Sequence, residues 1–181
     1  MHIYIMRHGQ SVANAEHIIA GQHESPLSEE GIIEATAAGR HAKDLNIQRI
    51  FSSPMGRAYQ TAQIVADAIE YPHERIELVE ELRERFLGDI ETKHYDETPY
   101  GNGNTELAED VPNIEQLDHF AERVHVAIEK IQAAAGDETT LIVCHNGTGR
   151  MIRNLLAGGE PYDFYQQARM DNAAISELPV S

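Results

Sequence analysis

The 181-residue chain has one cysteine and no tryptophan, and its 14 lysines and arginines are outnumbered by 30 acidic residues. A single cysteine excludes an internal disulfide and suits a reducing compartment, so we expect a cytoplasmic protein. The formal net charge of −16 disfavours nucleic acid and anionic membrane as partners. The sequence also lacks an apolar run long enough to span a bilayer, and a basic segment followed by an apolar core that would indicate a secretory signal.

Short apolar runs and amphipathic stretches alternate along the chain. The apolar runs predict β-strands at residues 3–6, 47–51, 76–79 and 140–144. Helical spacing of apolar residues predicts helices from an N-cap at Ser28 to about residue 45, and at 57–69, 114–135 and 151–156. This alternation predicts an α/β fold, a three-layer α/β/α sandwich whose mostly parallel central sheet carries helices on both faces.

The length fits one domain covering residues 1–181. Residues 92–112 are polar, acidic and contain glycine and proline, which predicts a short lid-like surface excursion rather than a linker between domains.

The first predicted strand ends in Arg7-His8-Gly9, at the place where parallel sheets usually build a ligand crevice. Arg57 stands in the first turn of a predicted helix, where the helix dipole prefers anions. A cation in that place makes sense if Arg57 and the helix N-terminus bind one anion together.

Two more segments have residues suited to a phosphate. Glu84 lies between two arginines, and His145 ends the fourth predicted strand just before a glycine-containing turn. Each feature alone is more simply explained as a surface charge or a buried histidine. Their joint occurrence at element boundaries favours a shared phosphate site.

These segments together resemble the histidine phosphatase superfamily, also called the phosphoglycerate mutase-like family. The resemblance runs almost from end to end, and it is carried by residues 7–11, Asn14, Gly21, 26–31, 52–54, 57–58, 60–62, 82–84, Gly88, 145–147 and 171–173.

The resemblance implies a metal-independent phosphatase that uses no cofactor and acts on a small phosphorylated substrate. It implies that His8 is the nucleophile, which becomes a phosphohistidine, and that Glu84 is the general acid. The residues that it assigns to the phosphoryl group are Arg7, Arg57, His145 and Asn14. Those that it assigns to the rest of the substrate are Gly21, Gln22 and Asn146. A homodimer is compatible with it.

Three alternatives stay open. The family also contains phosphoglycerate mutases, but the short excursion at 92–112 favours an open pocket in which water intercepts the phosphohistidine. Cys144 and Arg150 match the Cys-x5-Arg signature of cysteine-dependent phosphatases, although this mechanism leaves His8 and Glu84 unexplained. A non-catalytic phosphate-binding module is the third, and the retention of both catalytic residues disfavours it. Ten scattered histidines without zinc-site spacing do not predict a metal site.

Overall fold

A five-stranded β-sheet forms the centre of the computed structural model, which describes residues 2–99 and 109–179. The strand order is β3-β2-β4-β1-β5. All neighbouring strands are parallel except β1 and β5, which are antiparallel. The strands are β1 (Ile3–Arg7), β2 (Arg49–Ser52), β3 (Glu77–Leu78), β4 (Thr140–Cys144) and β5 (Ile175–Leu178). The predicted α/β fold with a mostly parallel sheet is confirmed.

The described residues contain five α-helices: α1 (Val12–Ala15), α2 (Glu29–Ala42), α3 (Gly56–Ala68), α4 (Leu117–Ala135) and α5 (Asn146–Leu156). Short 3-10 helices lie between them at Lys43–Leu45, His73–Arg75, Glu80–Leu82, Gly88–Ile90, Tyr95–Glu97 and Pro161–Gln166. Within the two described stretches, none of the helices is long and apolar enough to cross a membrane.

Strand β4 shows how the layers are built. Its five residues are all buried, and successive side chains point to opposite faces of the sheet. Ile142 and Cys144 pack with residues of α4 and α5, while Leu141 and Val143 pack with residues of α3. Because both faces are covered, β4 is a continuous apolar run rather than an alternating one.

Most predicted bounds differ from the structure by one to three residues, and two differences are larger. Helix α5 begins at Asn146, directly after β4 and His145, so the glycines predicted to form a turn lie in the helix instead. Strand β5 was missed because its four residues pair at the sheet edge and are only partly buried, which gives a weak pattern.

The start of the predicted excursion at 92–112 is tied to the loop that follows α1. The backbone N–H of Ile19 donates to the Lys93 carbonyl at 2.9 Å, and that of Tyr95 donates to the His17 carbonyl at 2.9 Å. Residues 100–108 of the excursion lie outside the described residues, so its lid-like character stays a prediction.

Gly9 and Gly31 let the loop after β1 lie against the start of α2. An ideal Cβ on Gly31 would overlap the backbone oxygen of Gln10, and one on Gly9 would overlap the backbone oxygen of Gly31. The N-cap Ser28 fixes the same helix turn, since its Oγ accepts from the Gly31 N–H at 3.0 Å. The glycine of the Arg7-His8-Gly9 segment is therefore required by packing.

Replacing Gly31 with alanine should reduce the free energy of unfolding by about 2 kcal/mol or more, because the added methyl has no room. Helix propensity alone predicts the opposite sign, a gain of up to about 1 kcal/mol. Urea unfolding measures the change. The control Ala37→Gly, at an exposed position of the same helix, should cost only about 1 kcal/mol. A Gly31→Ala protein as stable as the wild type would contradict the close approach.

Candidate active site

Two histidines meet where the neighbouring parallel strands β1 and β4 end. The backbone N–H of His8 donates to the Cys144 carbonyl at 2.9 Å, which places His8 next to His145. The two imidazole centroids are 5.1 Å apart, and both residues are buried, with 4% and 0% of their surface exposed. Residues distant in the sequence are therefore brought together by the register of the sheet.

His8 is held in one tautomer. Its Nδ1 donates to the Gly9 carbonyl at 2.6 Å, so Nε2 has the lone pair, and this accepts a hydrogen bond from Arg57 Nε at 3.2 Å. Burial, followed by the positive charges of Arg57 and Arg7, holds the pKa of His8 well below its ordinary value. The ring is consequently neutral near pH 7, with Nε2 as its nucleophilic atom.

The guanidinium of Arg57 is fixed by backbone carbonyls. Its Nη2 donates to the Gly21 carbonyl at 2.6 Å and its Nη1 to the His23 carbonyl at 3.0 Å. The residue is only 2% exposed. The sequence led us to expect that the N-terminus of α3 and Arg57 bind one anion together. The first N–H of this helix, that of Gly56, donates instead to the Glu24 carboxylate at 3.1 Å.

One nitrogen of His145 has no protein partner. Its Nε2 lies 2.8 Å from Ser53 Oγ, whereas its buried Nδ1 makes no hydrogen bond within the part of the chain that the structure describes. Because Ser53 Oγ accepts from the Met55 N–H at 3.4 Å, its hydroxyl proton can point to Nε2, which leaves the ring proton on Nδ1. A buried donor without a partner is costly, so this Nδ1 is suited to a ligand oxygen.

The Glu84 carboxylate lies at the N-terminus of α5. Its Oε2 accepts from the Gly147 N–H at 2.9 Å and its Oε1 from the Thr148 N–H at 3.0 Å. A third N–H, that of Arg85, donates to Oε1 at 2.9 Å. A Cβ on Gly147 would lie 2.5 Å from Glu84 Oε1, so glycine is needed there for the carboxylate to approach. The helix dipole and these three donors stabilise the negative charge.

The backbone of Glu84 is held from two sides. Gln22 Nε2 donates to the Glu84 carbonyl at 2.9 Å, and Arg123 Nη2 donates to the same oxygen at 3.2 Å. Arg123 also donates from Nη1 to the carbonyls of Glu81 and Arg83 at 2.7 and 2.8 Å. Arg123 was missed by the sequence reasoning, since its position within α4 gave no signal.

A cavity opens beside these groups. Seven of the predicted site residues line it, namely Arg7, His8, Asn14, Gly21, Arg57, Glu84 and Asn146. Its other lining residues are Ile18, Ile19, Ala20, Arg85, Leu87, Tyr95, Gly147, Phe164 and Arg169. The remaining two predicted residues do not line it: His145 is fully buried, and Gln22 donates its amide to the Glu84 carbonyl.

The two predicted asparagines already use their side-chain oxygens. Asn14 Oδ1 accepts from the Ser11 N–H at 3.2 Å, and Asn146 Oδ1 accepts from the Met170 N–H at 2.9 Å. The amide nitrogen of Asn14 is therefore the group of this side chain that can donate to a ligand.

Comparison with known proteins gives one family. The model of the histidine phosphatase superfamily (branch 1) matches residues 3–181. The chain belongs to this superfamily. It is 28% identical to the uncharacterized phosphatase PhoE of Bacillus subtilis, over 97% of this chain and 86% of PhoE. It is 30% identical to the probable phosphoglycerate mutase GpmB of Escherichia coli, over 98% of this chain and 84% of GpmB.

A solved structure confirms the fold of this histidine phosphatase family member. The α-ribazole phosphatase of Shigella flexneri superposes with a TM-score of 0.84 at 25% identity, and the match covers 100% of this chain and 91% of the other. The predicted resemblance to the family is confirmed.

The cysteine signature does not form a phosphate-binding loop in this family member. Cys144 is fully buried among the core residues between the sheet, α4 and α5, and burial raises the pKa of its thiol. Arg150 Nε donates to the Gln167 carbonyl at 2.9 Å, and the guanidinium stacks 4.7 Å over the Phe164 ring. The segment between Cys144 and Arg150 is a strand end followed by helix, so the backbone N–H groups do not form a cradle around the sulfur.

The ten histidines do not gather into a metal site where they are described. Across residues 2–99 and 109–179, no group of three or more histidine, cysteine, aspartate or glutamate side chains could hold a metal ion.

Proposed function

We propose that this chain is a phosphomonoesterase that hydrolyses a small phosphorylated metabolite through a phosphohistidine on His8. The observation that carries the proposal is the contact between the neutral His8 Nε2 and the guanidinium of Arg57, a nucleophile paired with a phosphate-binding group inside a cavity. Relatives named as phosphatases support the same reaction.

Binding of the phosphoryl group frees the nucleophile. Arg57 exchanges its Nε hydrogen bond to His8 for one to a phosphoryl oxygen, while its two other nitrogens stay on the carbonyls of Gly21 and His23. The lone pair of His8 Nε2 is then available for in-line attack on phosphorus. Phosphoryl transfer depends mainly on such positioning and on charge neutralisation.

The other donors neutralise the phosphoryl oxygens. Arg7 lines the cavity next to His8, with its Nη1 fixed on the Met170 carbonyl at 2.8 Å. His145 Nδ1 and the amide nitrogen of Asn14 complete the set of donors. Since these groups are already held by the protein, little reorganisation is needed at the moment of reaction.

Glu84 donates a proton in the first step and accepts one in the second. As the His8 Nε2–P bond forms and the P–O bond breaks, the Glu84 carboxyl proton moves to the departing oxygen and releases the alcohol. The carboxylate that remains is stabilised by the N–H groups of Arg85, Gly147 and Thr148. Water then attacks phosphorus, gives its proton to Glu84, and the N–P bond breaks to regenerate neutral His8.

In a mutase the phosphohistidine transfers its phosphoryl group to a second hydroxyl of the substrate instead of to water, and the bisphosphorylated intermediate then returns its other phosphoryl group to His8. The 30% identity to the probable phosphoglycerate mutase GpmB is the reason to test for mutase activity. Incubation with 3-phosphoglycerate and a trace of 2,3-bisphosphoglycerate separates the two: a phosphatase releases inorganic phosphate, and a mutase forms 2-phosphoglycerate.

Several expectations from the sequence remain predictions: a single domain over residues 1–181, a cytoplasmic location, a homodimer, and a reaction that needs neither metal nor cofactor.

Replacement of His8 with alanine should lower the turnover of p-nitrophenyl phosphate by about 10³-fold or more, because the nucleophile is lost. Cys144→Ala is the matched control and should retain most of the turnover, since the thiol is buried in the core. Steady-state release of p-nitrophenol measures both.

The wild-type protein, quenched during turnover, should hold acid-labile and base-stable phosphate, as expected for a phosphoramidate. Full turnover in His8→Ala, or its loss in Cys144→Ala with retained folding, would contradict the proposal. A wild type without turnover on any phosphomonoester would favour the non-catalytic module.

Gln22→Ala should reduce kcat/KM, which reports phosphoryl transfer to His8, about tenfold for an alkyl phosphate and much less for p-nitrophenyl phosphate, because Gln22 positions the backbone of the acid Glu84. Nitrophenolate leaves without a proton, so its release is insensitive to a displaced acid. Glu84→Gln should show the same selectivity with a larger loss, about 10² to 10⁴-fold for the alkyl ester. An increase of KM alone in Gln22→Ala would instead support the predicted substrate contact.

A further inference from the structure

The carboxylate of Glu91 connects two segments that border the cavity. It follows the 3-10 helix Gly88–Ile90 directly and is partly buried. Its Oε1 accepts from the Gln22 N–H at 2.8 Å and from the Leu87 N–H at 2.9 Å. Glu91 does not itself line the cavity, so these contacts hold the backbone of two segments rather than a ligand.

The peptide unit between Gly21 and Gln22 connects Glu91 to the phosphate-binding guanidinium. The N–H of this unit, that of Gln22, donates to Glu91. Its C=O, that of Gly21, accepts from Arg57 Nη2 at 2.6 Å. Because a peptide unit is planar and trans, its N–H and C=O point in opposite directions and turn together. Glu91 therefore fixes the orientation of a carbonyl that holds Arg57.

The peptide unit between Phe86 and Leu87 is held in the same way. Its N–H, that of Leu87, donates to Glu91, and its C=O, that of Phe86, accepts from the Glu115 N–H at 2.9 Å. This unit belongs to the segment that carries the proposed general acid, Glu84. Glu91 thus joins the segment of the acid to the peptide unit that orients the guanidinium.

The close approach of Glu91 explains the glycine at position 21. A Cβ on Gly21 would overlap Glu91 Oε1, and the φ angle of Gly21 is +50°. This left-handed conformation favours glycine over residues with a side chain. The backbone at position 21 is therefore shaped to bring its peptide unit against Glu91.

The position of the Glu91 oxygen accounts for these contacts better than its charge does. Both N–H groups donate to the same atom, Oε1, and a neutral carboxamide oxygen in that place could accept both. Burial raises the pKa of the Glu91 carboxyl, so the ionised form is disfavoured there. We therefore expect the reach of the side chain to matter and its charge to matter much less.

We propose that Glu91 is a positioning residue that sets Arg57 and Glu84 in their relative places through one shared oxygen acceptor. The inference rests on the proposed hydrolysis of a phosphomonoester at His8. It assigns to Glu91 an effect on two events, the binding of the phosphoryl group and the protonation of the leaving group.

Three variants separate the reach of the oxygen from its charge. Glu91→Asp keeps the charge but withdraws the oxygen, Glu91→Gln keeps an oxygen within reach without the charge, and Glu91→Ala removes both. Glu91→Asp and Glu91→Ala should weaken the binding of inorganic phosphate about five- to tenfold, because Arg57 is less well oriented. Glu91→Gln should stay within about twofold of the wild type. Isothermal titration calorimetry measures this binding without turnover.

The values of kcat/KM give a second readout, which a role in folding alone would not move. For p-nitrophenyl phosphate, Glu91→Asp should lose about the same factor as in phosphate binding. For an alkyl phosphate it should lose about tenfold more, because the acid Glu84 is displaced as well. Gln22→Ala, which leaves the backbone N–H in place, should lose activity on the alkyl ester and keep the wild-type binding of inorganic phosphate.

The matched control is Asp89→Ala. It removes an exposed carboxylate from the same segment, whose Oδ1 accepts from Asn113 Nδ2 at 2.8 Å and touches neither peptide unit. It should leave phosphate binding and both values of kcat/KM unchanged.

Wild-type phosphate binding in Glu91→Asp, an equal weakening in Glu91→Gln, or the same weakening in Asp89→Ala would overturn the inference. If Glu91→Ala does not fold, the comparison of Glu91→Asp with Glu91→Gln decides. Failure of the proposed function is distinguishable, because in that case the wild type hydrolyses neither ester or His8→Ala retains the turnover, while calorimetry still reports the effect of Glu91 on phosphate binding.

Discussion

The proposed chemistry of this protein depends on one buried contact, the hydrogen bond from Arg57 Nε to His8 Nε2. A guanidinium held against an imidazole in a buried place disfavours protonation of the ring, so the nucleophile stays neutral without a catalytic base. The same guanidinium is the natural partner of a phosphoryl oxygen. In the proposed mechanism this contact positions the His8 ring, and a substrate phosphoryl group takes the place of the ring as the partner of Arg57 Nε.

The loop around Gly21 connects this contact to the general acid. The carbonyls of Gly21 and His23 hold Arg57, and between them Gln22 donates to the Glu84 carbonyl from its side chain. Its backbone N–H donates to Glu91 Oε1 at 2.8 Å, and burial raises the pKa of this carboxyl group. A displacement of this loop would therefore move Arg57 and Glu84 together. We expect substitutions in the loop to affect kcat even where they leave the residues that line the cavity unchanged.

The sequence predicted the fold better than it predicted the details of the site. Strand β4 is a continuous apolar run, helix α2 has the N-cap Ser28, and helix α3 has apolar residues at helical spacing, so all three were predicted close to their observed bounds. His8, Arg57, Glu84 and His145 were found because they stand at element boundaries in a specific combination. Gln22 was interpreted as a substrate contact because a single sequence cannot show where a side chain turns. Arg123 and Arg169 were missed because they reach the site from α4 and from near β5, through contacts that depend on tertiary packing.

The protonation state of His8 is the most direct test of this account. Long-range ¹H–¹⁵N NMR of the ligand-free, labelled protein reports the tautomer of each histidine, and the His8→Asn variant assigns the signal of His8. We expect a neutral ring with its proton on Nδ1 and a non-protonated Nε2 near pH 6, where a histidine of ordinary pKa is mostly protonated. A His8 ring that is doubly protonated near pH 6, or that has its proton on Nε2, would contradict it.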